Sequence, residues 1–522
     1  MYVRKATGLV RDISPLSATI FNILPTAPGV GLAVSVFWVL AVLPGAHIIS
    51  AYWLTGLIAL AIAACVGFLT MTMPRSGGDY ILVSRSLGPP LGLASSASLM
   101  LVQILAAALF SYYFVVVGLI PGFAVIGLLS GREWWTDVST TLSGQGWTFA
   151  LTLVMVLIGA FLASLPVRRA FRIQNITLAV AMLGLLVGII SMFVVSNSSF
   201  ESAFNDLAGS GSYAQVIETA AVPAPGTSWA NTFPAVGALT LFFCFSWWSA
   251  QYGGEIRQSR TWKTVGSMTG SVLIYTVIYT IGTVALFHMA GDKFVAAANA
   301  LNGTDDYPLA VAPYWHVLLA IGTKSTILAI FLVVTFLFWF PAWVWLQFAQ
   351  PIRAMFAWSF DGLLPRQVAY VHPRTATPVV AIGISTLLGI GAAIWVVYGT
   401  NFFTALATIT LLVTAPLGLL CLSALALPYL RPDIWRRSPL PIKIAGVPLL
   451  SWFGLAGTAA TCVIVYALLK YPELGIANRG KTLLIMAGFI VGPFIYYYAA
   501  REVQRRRNGV DIGLNYAEIP PE

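Results

Sequence analysis

Residues Leu24–Ala33 read LPTAPGVGLA, inside an apolar run that extends from Leu16 to about Leu43. Pro25, Pro28, Gly29 and Gly31 interrupt that run near its middle. Each proline removes a helix hydrogen bond, and each glycine weakens the helix further. In lipid an unsatisfied backbone N–H or C=O costs several kcal/mol, on the order of 2–7. A non-helical stretch at membrane depth therefore survives only where protein or a water-filled cavity satisfies it. At a rise of about 1.5 Å per residue, the stretch lies one third to one half of the way through its run. A helical half restarting near Gly31 would present free N–H groups and a positive dipole end, which suit a carboxylate. On this stretch alone, a proline kink repaired by neighbouring helices fits equally well.

The whole chain is apolar enough to make lipid its solvent. Of 522 residues 58% are hydrophobic and 9% charged, against about 25% charged in soluble domains. Such a chain cannot cover a water-facing surface, so the fold class expected is an all-α polytopic membrane protein. The N-terminal MYVRKATGLVRDISPLSATIF places positive charge before an apolar run without a small-residue cleavage site, which reads as a retained first span. Runs of about 20 apolar residues predict twelve transmembrane helices. They cover 16–44, 51–72, 91–120, 147–166, 174–196, 233–252, 265–290, 325–348, 377–398, 402–428, 449–469 and 481–500.

With the N-terminus inside, 22 of the Lys and Arg residues fall in cytoplasmic segments and six on the other side. That asymmetry predicts cytoplasmic N- and C-termini in a multi-pass protein of the cell membrane. It also accounts for the net charge of +10 without a nucleic-acid partner. Cys65, Cys244, Cys421 and Cys462 all sit in apolar runs at wide spacing, and read as small core residues.

The spans hold no Asp, Glu, Lys or Arg at hydrocarbon depth, which argues against a proton-pumping respiratory subunit or a voltage sensor. His47, His288, His316 and His372 lie on different segments, so no haem or metal site is expected. No GxxxxGK[ST] loop occurs, and no nucleophile–base pair shares one depth, so neither cofactor nor enzymatic chemistry is expected. Glu255 and Asp79 are the best-placed carboxylates, and read as solvated interfacial charges or helix-end ion pairs rather than proton carriers.

A second span is also weakened. Residues 238–258 read ALTLFFCFSWWSAQYGGEIRQ, with Ser246, Trp247, Trp248 and Ser249 where a lipid-spanning helix would be aliphatic. This sixth span would open a second group of five. Interrupted helices at matching places in two halves point to an inverted-repeat transporter with its site near the midplane. The aromatic residues fit a packed bundle seam or an interfacial belt as readily.

Three segments together carry a resemblance. MPRSGGDYILVSRSLG (73–88) resembles the P-x-x-G-G-x-Y segment of permeases of the amino acid–polyamine–organocation (APC) superfamily. GGEIRQSRTWKTV (253–265) is similar to their segment after span six. QPIRAMFAWSFDGLLPRQVAYVHPRTATPVV (350–380) resembles their loop between spans eight and nine, including the DGLLP core and the Thr-Pro that opens span nine. The resemblance implies a 5+5 inverted repeat with broken helices 1 and 6, plus two additional helices. The transporter core would be 16–428, with repeats of about 16–196 and 233–428. Two further helices would follow at 449–500, with cytoplasmic segments at 1–15 and 501–522.

The resemblance also implies alternating access around a site between the two breaks. Carried over, backbone groups of Thr26, Ala27, Pro28, Gly29, Val30 and Gly31 would bind a substrate α-carboxylate, with Gly29-Val30-Gly31 matching the family's G-x-G. Phe243, Cys244, Phe245, Ser246 and Trp247 would bind the α-amino group and shape the side-chain pocket. The sequence departs from relatives in lacking a small glycine after the span-six aromatics, which points to a slender substrate or a displaced break. Span five has no lysine, and span eight offers only the Thr335 hydroxyl, so uniport, exchange and symport all stay open. Trp343, Trp345 and Gln347 either line the pathway or pack elsewhere. The expected function is secondary active or facilitative transport of an amino acid or related amine, its side chain needing no buried counter-charge. The other reading is a transporter-like receptor that binds such ligands without moving them.

Overall fold

The computed structural model describes residues 13–400, 402–439, 441–471, 474 and 479–516. The expected cytoplasmic charges Arg4, Lys5 and Arg11, and the tail beyond residue 516, lie outside the described residues. Helix α1 (Pro15–Ile23) opens at Ser14, whose hydroxyl accepts from the Ser17 N–H at 3.1 Å. A single 3-10 turn, Leu24–Thr26, follows. Ala27 then turns left-handed (φ 35°, ψ 68°), and α2 (Pro28–Val42) restarts with Pro28 in its first turn, where a missing N–H has no consequence. The first span is thus two half-helices, and the second starts three residues earlier than the Gly31 expected.

The remaining helices follow in chain order. They are α3 (Ile48–Thr72), the short α4 (Gly78–Ser84), α5 (Pro89–Tyr113), α6 (Ile120–Ser130), α7 (Glu133–Leu142), α8 (Gln145–Ser164) and α9 (Val167–Val194). A π-helical stretch, Phe114–Leu119, joins α5 to α6, so the third span runs about ten residues past its expected end. Next come α10 (Asn197–Ala208), α11 (Ser212–Ala220), α12 (Trp229–Phe243), α13 (Trp262–Ala290), α14 (Asp292–Leu301), α15 (Trp315–Thr323), α16 (Thr326–Leu337) and α17 (Trp339–Phe360). The chain continues with α18 (Val379–Tyr398), α19 (Phe402–Leu430), α20 (Pro432–Arg436), a two-residue hairpin, α21 (Leu449–Lys470) and α22 (Arg479–Asn508). Among the described residues, eleven helical stretches are long and apolar enough to cross a membrane. The expected sixth span is α12, which stops after 15 residues.

Burial follows helical periodicity. On α9, Ala181, Gly184, Leu185 and Gly188 face protein, while Leu183, Leu186 and Ile190 lie on the opposite, exposed face. Small residues on the inner face let backbones approach closely, and a Cβ at Gly184 or Gly188 would collide with Thr335 or Trp315. Cys65, Cys244 and Cys421 are buried as expected. Cys462 is not: it lies on the exposed side of α21, where lipid rather than protein covers an apolar side chain.

One end of the bundle gathers both ends of the described chain. Ile13 pairs with Ile256, and Ser76 with Tyr252, in short backbone bridges. Tyr516, in the turn Ile512–Tyr516 after α22, shares a hydroxyl hydrogen bond with Tyr80 of α4 at 2.7 Å. At this end α4 is wholly buried against α5 and α17. Helix α17 continues through Pro351 to Phe360. Residues 350–360, expected as loop, are therefore helix, buried as far as Ser359, because Arg353 finds a buried partner in Glu255 at 3.0 Å.

Candidate functional site

A broken helix frees carbonyls, and aromatic donors reach those of the first break and the first turn of α2. Trp343 Nε1 donates to Pro25 O at 2.9 Å, Tyr279 OH to Thr26 O at 2.9 Å, and Trp315 Nε1 to Gly29 O at 2.8 Å. The first turn of α2 leaves the N–H groups of Gly29 and Val30 without an intrahelical acceptor, whereas Gly31 N donates to Ala27 O at 2.8 Å. Gly29 and Gly31 are needed for close packing. A Cβ at Gly29 would strike the Trp339 indole, and one at Gly31 the Tyr279 hydroxyl and the Thr26 carbonyl.

The second break begins where α12 ends. Cys244 leaves helical geometry (φ −90°, ψ 20°), and a 3-10 turn resumes only at Trp248–Gln251. Tyr275 OH donates to Phe243 O and also meets Ser246 Oγ at 2.8 Å. Trp247 Nε1 donates to Cys244 O at 2.8 Å, closing the break on itself. Ser249 N donates to Asn22 Oδ1 of α1 at 2.8 Å, which ties the second break to the first span.

The two breaks meet. Tyr279 holds the Thr26 carbonyl while its ring stacks on Phe243, centroids 5.1 Å apart. Beside this contact is a small cavity lined by Pro25 of the first break, Phe245 and Trp248 of the second, and Gln103, Phe110 and Gln347 from α5 and α17. The structure therefore brings Thr26, Phe243 and Phe245 together. It places Ala27 at the left-handed turn and Pro28, Gly29, Val30 and Gly31 in the first turn of α2, packed beside the cavity rather than lining it. Ser246 and Trp247 point to Tyr275 and to the local backbone, and Cys244 is buried at the helix end.

Several residues at this place lay outside the sequence expectation. Gln103 is buried on α5 and its amide oxygen has no hydrogen-bond partner. A lone amide in an apolar span was the available signal. Tyr275 and Tyr279 stand four apart on α13, one polar-tipped face of a helix. Trp315 and Trp339 carried no signal, because their role depends on how α15 and α17 dock. Of the span-eight residues with open readings, Trp343 caps the first break, Gln347 lines the cavity, and Trp345 packs on Phe21 and Phe171. The Thr335 hydroxyl donates to Phe331 O of its own helix at 2.8 Å.

Comparison with known proteins gives the geometry its family. A search of curated proteins finds no match. Among solved structures, MhsT in complex with L-phenylalanine superposes with a TM-score of 0.56, covering 87% of this chain and 97% of that one at 14% identity. At that identity the likeness concerns the fold. The model of the family described as amino acid permease matches residues 13–495, which includes both breaks and every described span up to the last. The chain is a multi-pass membrane protein and belongs to the amino acid permease family, within the APC superfamily.

Proposed function

We propose that this permease moves a neutral, apolar amino acid across the membrane by alternating access around the paired breaks. The observation that supports it most is the shared cavity, lined by Pro25 from one break and by Phe245 and Trp248 from the other. In this reading the substrate carboxylate takes the N–H groups of Gly29 and Val30 at the start of α2, where the helix dipole favours an anion. Its ammonium takes carbonyls freed at Thr26 and Phe243, each of which keeps a lone pair beside its tyrosine hydroxyl. The side chain enters the cavity among Phe110, Phe245 and Trp248, and the Gln103 amide oxygen takes the third hydrogen of the ammonium. The cavity lining carries no charged side chain, which favours a neutral side chain, since a buried cation without a partner is costly.

Repeats of about 16–196 and 233–428 rock against each other in this mechanism, with 449–500 outside the moving core. The end that holds Ile13, α4 and Tyr516 is assigned to the cytoplasm, because the arginine excess lies there. In the conformation described, tyrosine and tryptophan donors occupy the break carbonyls and the cavity is small, as befits a closed state. Counterflow of labelled amino acids into liposomes, run as a panel of neutral, acidic and basic species, tests the reading. Saturable exchange of neutral members is the expected result. Ligand-induced thermal stabilisation without exchange would make the protein a receptor instead.

A further inference from the structure

Among the described residues, five charged side chains are buried, at the end of the bundle that holds α4: Asp79, Arg85, Glu255, Arg353 and Asp361. Four of them pair. Arg85 grips Asp361 through two hydrogen bonds of 2.8 and 2.9 Å, and Arg353 meets Glu255 at 3.0 Å. Asp79 is the one left over. Its residue is 0% exposed, and the groups that reach its carboxylate are neutral. Gln251 Nε2 lies 3.1 Å and Gln350 Nε2 3.3 Å from Oδ1, and Ser95 Oγ lies 3.4 Å from Oδ2. A buried carboxylate held only by dipoles at such lengths is poorly compensated. The expectation of a solvated charge or an ion pair at Asp79 is thereby overturned.

The surroundings are arranged for a neutral acid. Gln251 Oε1 and Gln350 Oε1 are buried acceptors without a partner. Turning the Gln251 amide over presents its oxygen to Asp79, an arrangement that requires the O–H donor of a protonated carboxyl, whereas the Gln350 amide is fixed as a donor because its Nε2 also donates to Ser96 O at 3.2 Å. The cluster also joins the parts that a transport cycle must separate. Asp79 stands on α4, Gln251 at the end of the second break, Gln350 on α17, and Ser95 on α5. Gly77 N, at the start of α4, donates to Gln251 O at 3.3 Å.

We propose that Asp79 is a proton-binding site, filled in acid while this face of the permease is closed and emptied when the face opens to water. The proposal rests on the transport reading above and adds the ligand, a proton, that the closed state retains. In the step itself the Asp79 carboxylate accepts a proton from water, and opening returns that proton to water.

The charged and titratable neighbours do not compete for this role. On and beside α4 are Arg75, whose guanidinium donates to Pro74 O at 3.2 Å, and Tyr80 and Arg85, both engaged with Asp361. The segment after the 3-10 turn and α17 carry Glu255 and Arg353, engaged with each other, with Tyr252 under the Arg353 guanidinium and Arg257 on the strand-like pairing with Ile13. Helices α3, α5 and α19 bring Tyr52, Cys65, Tyr112, Tyr113, Cys421 and Tyr429, and no Asp, Glu, His, Lys or Arg. Burial pushes the Asp79 carboxyl up to about 6, and the amide and hydroxyl donors hold it from rising further. Opening to water returns it toward the ordinary value of about 4. The closed state therefore binds the proton more tightly than the open one. It is favoured below pH 6 and loses that advantage as pH rises through about 6. A difference of about two pKa units makes the opening equilibrium about tenfold less favourable at pH 5 than at pH 7.5.

Counterflow in liposomes at equal pH on both sides, from 5 to 8, tests this with labelled L-leucine or the neutral amino acid that exchanges best in the panel. Sodium and potassium buffers are compared. The expected wild-type rate falls about tenfold toward pH 5 with a midpoint near 6, equally in both buffers. Asp79→Asn, fixed neutral, should give a rate that no longer varies with pH. Gln350→Leu removes a donor to the carboxylate and should move the midpoint upward. A flat wild-type profile, or an Asp79→Asn profile with the wild-type midpoint, would overturn the proposal. So would a sodium dependence that disappears in Asp79→Asn, because the carboxylate would then be a metal ligand. Should Asp79→Asn fail to fold, an unmoved midpoint in Gln350→Leu overturns the proposal by itself. Wild-type exchange without pH dependence leaves transport standing; no exchange at any pH removes the transport reading and this proposal with it.

Discussion

At Ala27 and Gly31 the first break stores strain and uses it. Ala27 adopts a left-handed backbone (φ 35°) that disfavours an L side chain by about 1–2 kcal/mol. Four residues on, Gly31 gives Tyr279 room to reach the Thr26 carbonyl. Opposite outcomes are expected for two small substitutions. Ala27→Gly relieves the strain against a flexibility cost of about 0.5–1 kcal/mol, so thermal stability in detergent should stay level or rise slightly. Gly31→Ala forces a Cβ into the Tyr279 hydroxyl and should destabilise by about 1–3 kcal/mol. Equal effects of the two on thermal inactivation would mean that the packing at Gly31 is not what holds the break closed.

At the scale of elements, the Glu255–Arg353 pair fastens the chain after the second break to α17. Both side chains are 2–3% exposed, Ser76 adds a hydrogen bond to Glu255 at 3.0 Å, and the Arg353 guanidinium sits 4.8 Å from the Tyr252 ring centre. Removing one partner of a buried pair strands the other at a cost of about 3–5 kcal/mol. Arg353→Met should therefore be severely destabilising, and Arg353→Met with Glu255→Gln much less so. A double-mutant cycle on thermal stability checks this; additive losses would show that the two charges do not depend on each other. The same pair explains why α17 runs twelve residues beyond the expected end of span eight. Hydropathy stops at the first polar residues, while the helix continues as long as its buried charge has a partner.

Across the whole molecule, the last described turn closes over the same end as the first. Tyr516 meets the Tyr80 hydroxyl, and its ring lies 4.5 Å from the Arg85 guanidinium. Tyr516→Ala should cost about 1–2 kcal/mol through the lost hydrogen bond and cation–π contact. It should also speed exchange if that end must part; unchanged exchange with lowered stability would assign the turn a structural role alone. The docking of this tail is insensitive to pH in the range used for Asp79. Arg501, with the Gly513 N–H, holds the Asp511 carboxyl down to about 2. The contribution of that pair is fully present above the ordinary carboxylate range and lost only as pH falls through about 2. It stays constant from pH 5 to 8, so a change in exchange over that window does not arise from it.

The sequence by itself determined the solvent of this protein, the order of its apolar segments, and the two places where helices break, although of the twelve spans expected eleven are long and apolar enough to cross a membrane among the described residues. Those follow from local physics: apolar length sets a span, Pro25 and Pro28 are costly in a helix interior, and the serine–tryptophan cluster of span six favours a helix less than aliphatic residues do. Only the tertiary structure decided what those breaks touch. Tyr279, Trp315, Trp343 and Gln103 reach the first break and its cavity from helices far away in sequence, and these contacts depend on docking that no local pattern encodes. Asp79 makes the point most sharply. On the page it is one acid in a polar connector, and only the packing of α4 under α5 and α17 removes it from water. Charge becomes costly through burial, and burial is a property of the assembled bundle.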